Sequence, residues 1–152
     1  MWRFNPYDTL LQKTGAISPE INSVRYEIYS QFTNVIDLRN DLENVLKRWS
    51  KGHRGAFNKA VKGGVSVELA STFEEWMDYY QIFQENSKRW EKSKAGFAED
   101  YDRRMFEIIF DRKSPNIRLW LARHEGKSIA GAICLYAKNH VLGWHLTDCL
   151  NI

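Results

Sequence analysis

Apolar positions along this chain recur in two periods, and the places where the period switches mark its elements. Leu42, Val45, Leu46, Trp49, Ala56, Phe57, Ala60 and Val61 fall on one arc of a helical wheel drawn through 40–62. Asn40 followed by Glu43 reads as a capping box that starts this helix. Gly52 and Gly55 each cost about 1 kcal/mol inside a helix, so a break near Lys51 is expected. Gly63-Gly64 supplies the left-handed turn that ends it, and Val65, Val67 and Leu69 then alternate as a strand. Ser71-Thr72-Phe73-Glu74-Glu75 opens a second helix of about 18 residues. Phe73, Trp76, Tyr80, Phe83 and Trp90 run along one of its faces. A third helix covers Phe97 to Asp111 through Tyr101, Met105, Ile108 and Ile109.

Lys113-Ser114-Pro115-Asn116 breaks that helix, and the period drops to two. Ile117, Leu119 and Leu121 alternate with Arg118, Trp120 and Ala122. The turn His124-Glu125-Gly126-Lys127 leads into Ile129–Tyr136, whose small residues suit a central strand, and Lys138-Asn139-His140 turns into Val141–Leu146. Upstream, residues 1–24 form a weakly patterned lead-in punctuated by Pro6, Gly15 and Ser18-Pro19. A strand is expected within Val24–Leu38, from Ile28, Phe32, Val35 and Ile36. Strand, helix, strand, two helices and a three-stranded meander make an α+β or mixed α/β layout, with residues 25–152 as its one domain. There is no internal repeat and no low-complexity linker.

Charge changes this picture in one place. Lys47, Arg48, Lys51, Arg54, Lys59 and Lys62 lie within 16 residues that hold no acid. On the wheel they occupy an arc of about 140° opposite the apolar one. The whole chain is only +3, so the rest is net acidic and the asymmetry is local. Generic DNA binding fits poorly, since net charge is modest and no DNA-reading motif is present. Cys134 and Cys149 lack C-x-x-C spacing, which points to a reducing compartment and no zinc site; the four histidines share no ligand spacing either. The N-terminus has no apolar signal-like run, and the longest uncharged run near the end, Ser128–Ala137, is about half a membrane span. The expectation is a cytoplasmic protein without a transmembrane segment, able to visit a membrane surface.

The segments KGHRGAFNKAVKGGVSVEL, SKRW (Ser87–Trp90) and IRLWLARHEGKSIAGAICLYAKNHVLGWH, in this order, resemble the GNAT acyltransferase superfamily, and within it the FemAB-like branch. The resemblance covers about residues 25–147 and rests on loose patterns. It implies a GNAT-like sheet flanked by helices and N-acyl transfer to an amine. The acceptor it implies is a small molecule or a cell-wall or polysaccharide precursor. The donor it implies is an acyl-CoA or an aminoacyl-tRNA. The superfamily's Arg/Gln-x-x-Gly-x-Gly/Ala loop, where helix N-terminal amides hold the donor pyrophosphate, would follow the last strand. The sequence reaches Leu150-Asn151-Ile152 there, so a chain truncated before its donor-binding half is the expectation.

Several side chains are candidates for the chemistry. On the basic face, Arg54 suits bidentate phosphate contact, with Lys51, Lys59 and Lys62 as point charges; a solvated helix flank explains the same residues. The ligand would be a phosphate-bearing precursor or tRNA. A non-catalytic module holding an anionic glycan precursor, RNA or a lipid headgroup is the competing function. His145 and Asp148 are the catalytic candidates, as a base for the amine and its orienting carboxylate. Residues three apart on a regular strand face opposite ways, so this pair needs a bulge or a strand end between them. Arg89, Trp90 and Trp144 are assigned to the acceptor cleft on the resemblance; a helix C-terminus with a favourable cation and core-anchoring indoles is the plainer account. His53 lies on the apolar side of the wheel and is expected to pack. Neither cysteine has neighbours that would activate it as a nucleophile. An open last strand carrying Leu142, Trp144 and Leu146 also invites self-association.

Overall fold

The computed structural model describes residues 35–39, 41–92 and 101–148. The chain forms two compact units, Met1–Trp49 and Ser50–Ile152. In the first, helix α1 spans Leu42–Lys47 and buries Val45. Its cap is Asp41, one residue later than expected: the carboxylate accepts from the Asn44 backbone N–H at 2.8 Å and from Asn44 Nδ2 at 2.9 Å. A carboxylate in that place also favours the positive helix terminus, which a neutral asparagine does not. The expected strand of 24–38 lies mostly outside the described residues, as does the lead-in 1–24. Its described tail, 35–39, is not extended pairing but a turn. Asp37 accepts there from the Arg39 backbone N–H and binds its guanidinium, a local bond that competes with a ladder.

In the second unit, helix α2 (Lys51–Lys62) starts at Ser50, whose hydroxyl accepts from the His53 N–H at 3.2 Å and lies 2.8 Å from His53 Nδ1. The break expected near Lys51 is present, between α1 and α2, so Lys47 and Arg48 precede it and the six bases do not share one helix. The apolar arc of α2 buries no side chain: Phe57 is 44% and Val61 56% exposed, and His53 is exposed at the cap instead of packed. A wheel reports that a helix has two faces; it does not supply a partner for either. Gly64 turns the chain at φ 80°, with Val65 N–H bonded to the Ala60 carbonyl at 3.0 Å, and strand β1 (Ser66–Leu69) follows.

Helix α3 (Phe73–Lys92) opens with a reciprocal box. Thr72 Oγ1 accepts from Glu75 N–H, and Glu75 Oε2 accepts from Ser71 N–H at 2.7 Å and Thr72 N–H at 2.9 Å. Its buried stripe is Trp76, Tyr79, Ile82, Phe83 and Asn86, rotated from the expected one so that Tyr80 and Trp90 are only half-buried. Helix α4 (Arg103–Asp111) begins at the Asp102 cap; the expected first part, 97–100, lies outside the described residues. With that start Phe106, not Ile108, points inward: Phe106 is fully buried and Ile108 is 40% exposed.

Strands β2 (Ile117–His124), β3 (Lys127–Ala137) and β4 (His140–Asp148) complete an antiparallel sheet in the order β1-β2-β3-β4. Leu119, Leu121 and Ile133 project from one face into Trp76, Tyr79, Phe83 and Phe106. Gly131 is where helix and sheet come closest: a Cβ there would stand 2.6 Å from Tyr79 Cδ2. The β3–β4 register runs Ile133↔His145 and then Cys134↔Gly143, so Trp144 is an extra, bulged residue. Among the described residues, no helix is long and apolar enough to cross a membrane.

Candidate active site

Strand β4 and helix α3 are laced together by polar side chains inside an otherwise apolar core. His145, 4% exposed, faces the helices among Tyr79, Phe83, Tyr101 and Phe106. Tyr79 Oη lies 2.5 Å from His145 Nδ1 and donates to the His145 carbonyl at 3.1 Å. A phenol has one proton, so both bonds are satisfied together when Nδ1–H donates to Tyr79 and Tyr79 donates to the carbonyl. That tautomer puts the basic lone pair of the ring on Nε2. Burial pushes the Tyr79 hydroxyl well above its ordinary pKa, with the neighbouring Cys134 adding to the shift, so the phenol stays protonated.

Two residues on, Thr147 faces the same way. Asn86 Nδ2 donates to Thr147 Oγ1 and, at 2.5 Å, to the Asp148 carbonyl. One helical turn further, Arg89 Nη2 meets Asp148 Oδ1 at 3.4 Å. Tyr79, Asn86 and Arg89 sit seven and three residues apart, one edge of α3, opposite His145, Thr147 and Asp148 of β4. Near the start of the same helix, Arg123 of β2 pairs with Glu75 and, at 3.3 Å, with Glu68. The backbone amides of Ser71 and Thr72 and the Arg123 guanidinium hold the Glu75 carboxyl below its usual range.

The expected His145–Asp148 pair does not form. The register between them is unbroken, Ile133↔His145 through Ala130↔Asp148, so the two side chains project from opposite faces. The bulge the pair required exists, but at Trp144, before His145. Asp148 is exposed and turned to Arg89. Trp144 is half-buried against Tyr101, with ring centroids 5.9 Å apart, and Trp90 is half-buried on α3. Lys51, Arg54, Lys59 and Lys62 are exposed on α2, and among the described residues no ion pair joins them to β4. Tyr79, Asn86 and Thr147 were missed. Their signal was available: polar residues at helical spacing inside an apolar stripe, and one at strand spacing from His145.

Strand β4 ends the sheet among the described residues, so one side of its backbone is not taken up by a neighbouring strand of that sheet. At the bulge the ladder to β3 also skips Trp144. Backbone donors on an irregular strand edge, beside a buried histidine, are the kind of arrangement that can polarise a carbonyl oxygen. Against known protein families, residues 41–147 match the one described as Acetyltransferase (GNAT) domain. The chain belongs to the GNAT family. Its four-stranded antiparallel sheet and packed helices are the GNAT-like mixed α/β fold, and GNAT membership carries acyltransferase-type function with an acyl-CoA donor. No curated protein matches the chain.

Proposed function

We propose that this GNAT domain moves an acyl group from a coenzyme A thioester to an amine at the bulged edge of β4. The carrying observation is the Trp144 bulge set directly before His145, whose ring Tyr79 orients. The amine nitrogen attacks the thioester carbonyl carbon, and amides at the bulge stabilise the oxyanion. The C–S bond then breaks, an amide forms and the sulfur leaves as thiolate. The proton lost by the amine passes to His145 through water, since the ring is too buried for direct contact, and returns to the thiolate to give free thiol. Asp148, exposed beside Arg89, attracts the ammonium form of the acceptor. Trp90 and Trp144 flank the cleft, and Lys51, Arg54, Lys59 and Lys62 hold a phosphate-bearing part of a substrate.

The segments around the Gly63-Gly64 turn, Ser87–Trp90 and the final hairpin support placing the chain with the FemAB-like branch, and hence an amine of a cell-wall or polysaccharide precursor as acceptor. The test is thiol release from acetyl-CoA with a panel of amino sugars and peptide amines, and in parallel transfer from aminoacyl-tRNA. Acceptor-dependent thiol release that falls with His145→Gln supports the reading. Transfer from tRNA alone would reassign the donor, and neither transfer nor acetyl-CoA binding would overturn it.

A further inference from the structure

At the end of the core away from β4, a groove of about 390 Å³ opens between the β1–α3 turn, the end of α4 and the start of β2. Its lining is apolar: Ile109, Phe110 and Ile117, with the edge of the largely buried Trp76 beneath them. Its rim carries Lys113 and Arg118 and two serines, Ser71 and Ser114, and no acidic side chain lines it. That volume lies at the small end of ligand sites, which are apolar hollows with a few placed polar groups. The lining residues of β2, Ile117, Arg118 and Leu119, are two strands from β4, about 10 Å at sheet spacing, and Leu69 of β1 is one strand further. The groove is therefore separate from the acyl-transfer edge, and the inference stands independently of that reading.

Two observations bear on Lys113, the first shared with Glu125 and Lys138. Its backbone is left-handed at φ 46°, closing α4 with an N–H bond to the Phe110 carbonyl at 3.0 Å. Glycine is the usual residue there, because any side chain in that conformation is strained. Among the described residues the Lys113 ammonium has no ion pair, so it is available to a ligand in the groove. Arg118 is committed elsewhere: its guanidinium lies 4.8 Å from the centroid of the Tyr136 ring and its Nε donates to the Pro115 carbonyl at 3.3 Å. One available cation above an aromatic floor recognises a particular shape of ligand.

We propose that this groove is a second binding site, taking a small amphipathic monocarboxylate with its carboxylate on Lys113 and its hydrocarbon part on Trp76 and Phe110. Octanoate is the probe, and octanamide its uncharged counterpart, each titrated into the full chain by calorimetry and by NMR of the tryptophan indoles. Octanoate is expected to bind with sub-millimolar affinity and octanamide at least about tenfold more weakly, a difference of about 1.4 kcal/mol. Lys113→Gly is expected to lower octanoate affinity about tenfold while raising the melting temperature, because glycine relieves the left-handed backbone. The rise in melting temperature guards against reading misfolding as lost binding. Three results would each overturn the proposal: no octanoate binding, equal binding of octanamide, or unchanged affinity in Lys113→Gly. Competition between octanoate and acetyl-CoA would also sink it, by moving the ligand to β4. Failure of acyl transfer leaves these outcomes unaffected.

Discussion

Gly131→Ala tests the closest approach in the fold. The added methyl carbon would stand 2.6 Å from Tyr79 Cδ2, 2.8 Å from Cε2 and 3.0 Å from Leu121 Cδ2. Ordinary carbon contacts begin near about 3.5 Å, so the ring has to retreat by close to 1 Å. It has little room. Tyr79 is fully buried, edge-on to Phe106 at a centroid distance of 6.1 Å, and tied to His145 at its far end. Overpacking of this kind costs about 1–3 kcal/mol, and stretching the hydrogen bond adds about 1 kcal/mol. The expected loss is about 2–4 kcal/mol, read by urea unfolding as a lower midpoint with an unchanged slope, and by heat as a fall of roughly 4–16 °C. A double-mutant cycle assigns the cause. In a Tyr79→Leu background the ring is gone, and Gly131→Ala should cost less than half as much. A loss below about 0.5 kcal/mol, or the same loss with and without the ring, would refute the steric account.

Other outcomes follow from the same lacing. Tyr79→Phe leaves a buried imidazole nitrogen and a strand carbonyl without their partner, and should cost about 1–3 kcal/mol by urea unfolding with no change in fold. Tyr79 and Cys134 both titrate above their ordinary values because of burial. Each raised value means that the folded state keeps its proton longer than the unfolded state. Their stabilisation is therefore complete below about pH 9 and drains away as pH rises further, visible as a melting temperature that falls above about pH 9. Glu75 is shifted the other way, so its contribution holds above about pH 4.5 and fades under acid; Glu75→Gln should remove this acid dependence and cost about 1–2 kcal/mol through the weakened cap and the stranded Arg123. His145→Gln should lower the acyl-transfer rate by about 10²-fold or more while binding of acetyl-CoA stays within a few-fold, as measured by thiol release and calorimetry.

The sheet was readable because β2 alternates, β3 carries a short run of small apolar residues, and each turn carries its own residues: Gly63-Gly64, Gly126-Lys127 and Lys138-Asn139. The α3 start was equally plain, since Thr72 and Glu75 stand at the spacing a reciprocal cap requires. What failed to show depends on contacts between distant segments. Periodicity permitted either Tyr79 or Tyr80 on the inner stripe of α3, and only the surface presented by Gly131 and His145 selects Tyr79. Ile108 and Phe106 exchanged places because Asp102, an acid without a conspicuous partner in the sequence, resets the start of α4. The His145–Asp148 pair failed for a register reason: the extra residue on β4 is Trp144, and nothing in the local sequence distinguishes a bulge there from one two residues later. On α2 the pattern was read correctly and its consequence was not, since amphipathic spacing is a property of one helix whereas burial belongs to two surfaces.

The stitches from Tyr79 and Asn86 to β4 join residues more than sixty positions apart along the chain. Hairpin pairing with β3 forms locally, but those stitches cannot close until α3 and the meander have met. The strand bearing the imidazole thus gains its full hold only after its hairpin has paired. Hydrogen exchange along 143–148 should accordingly run ahead of that along 117–123, making the outer rim a region that breathes while the interior beneath it stays shut.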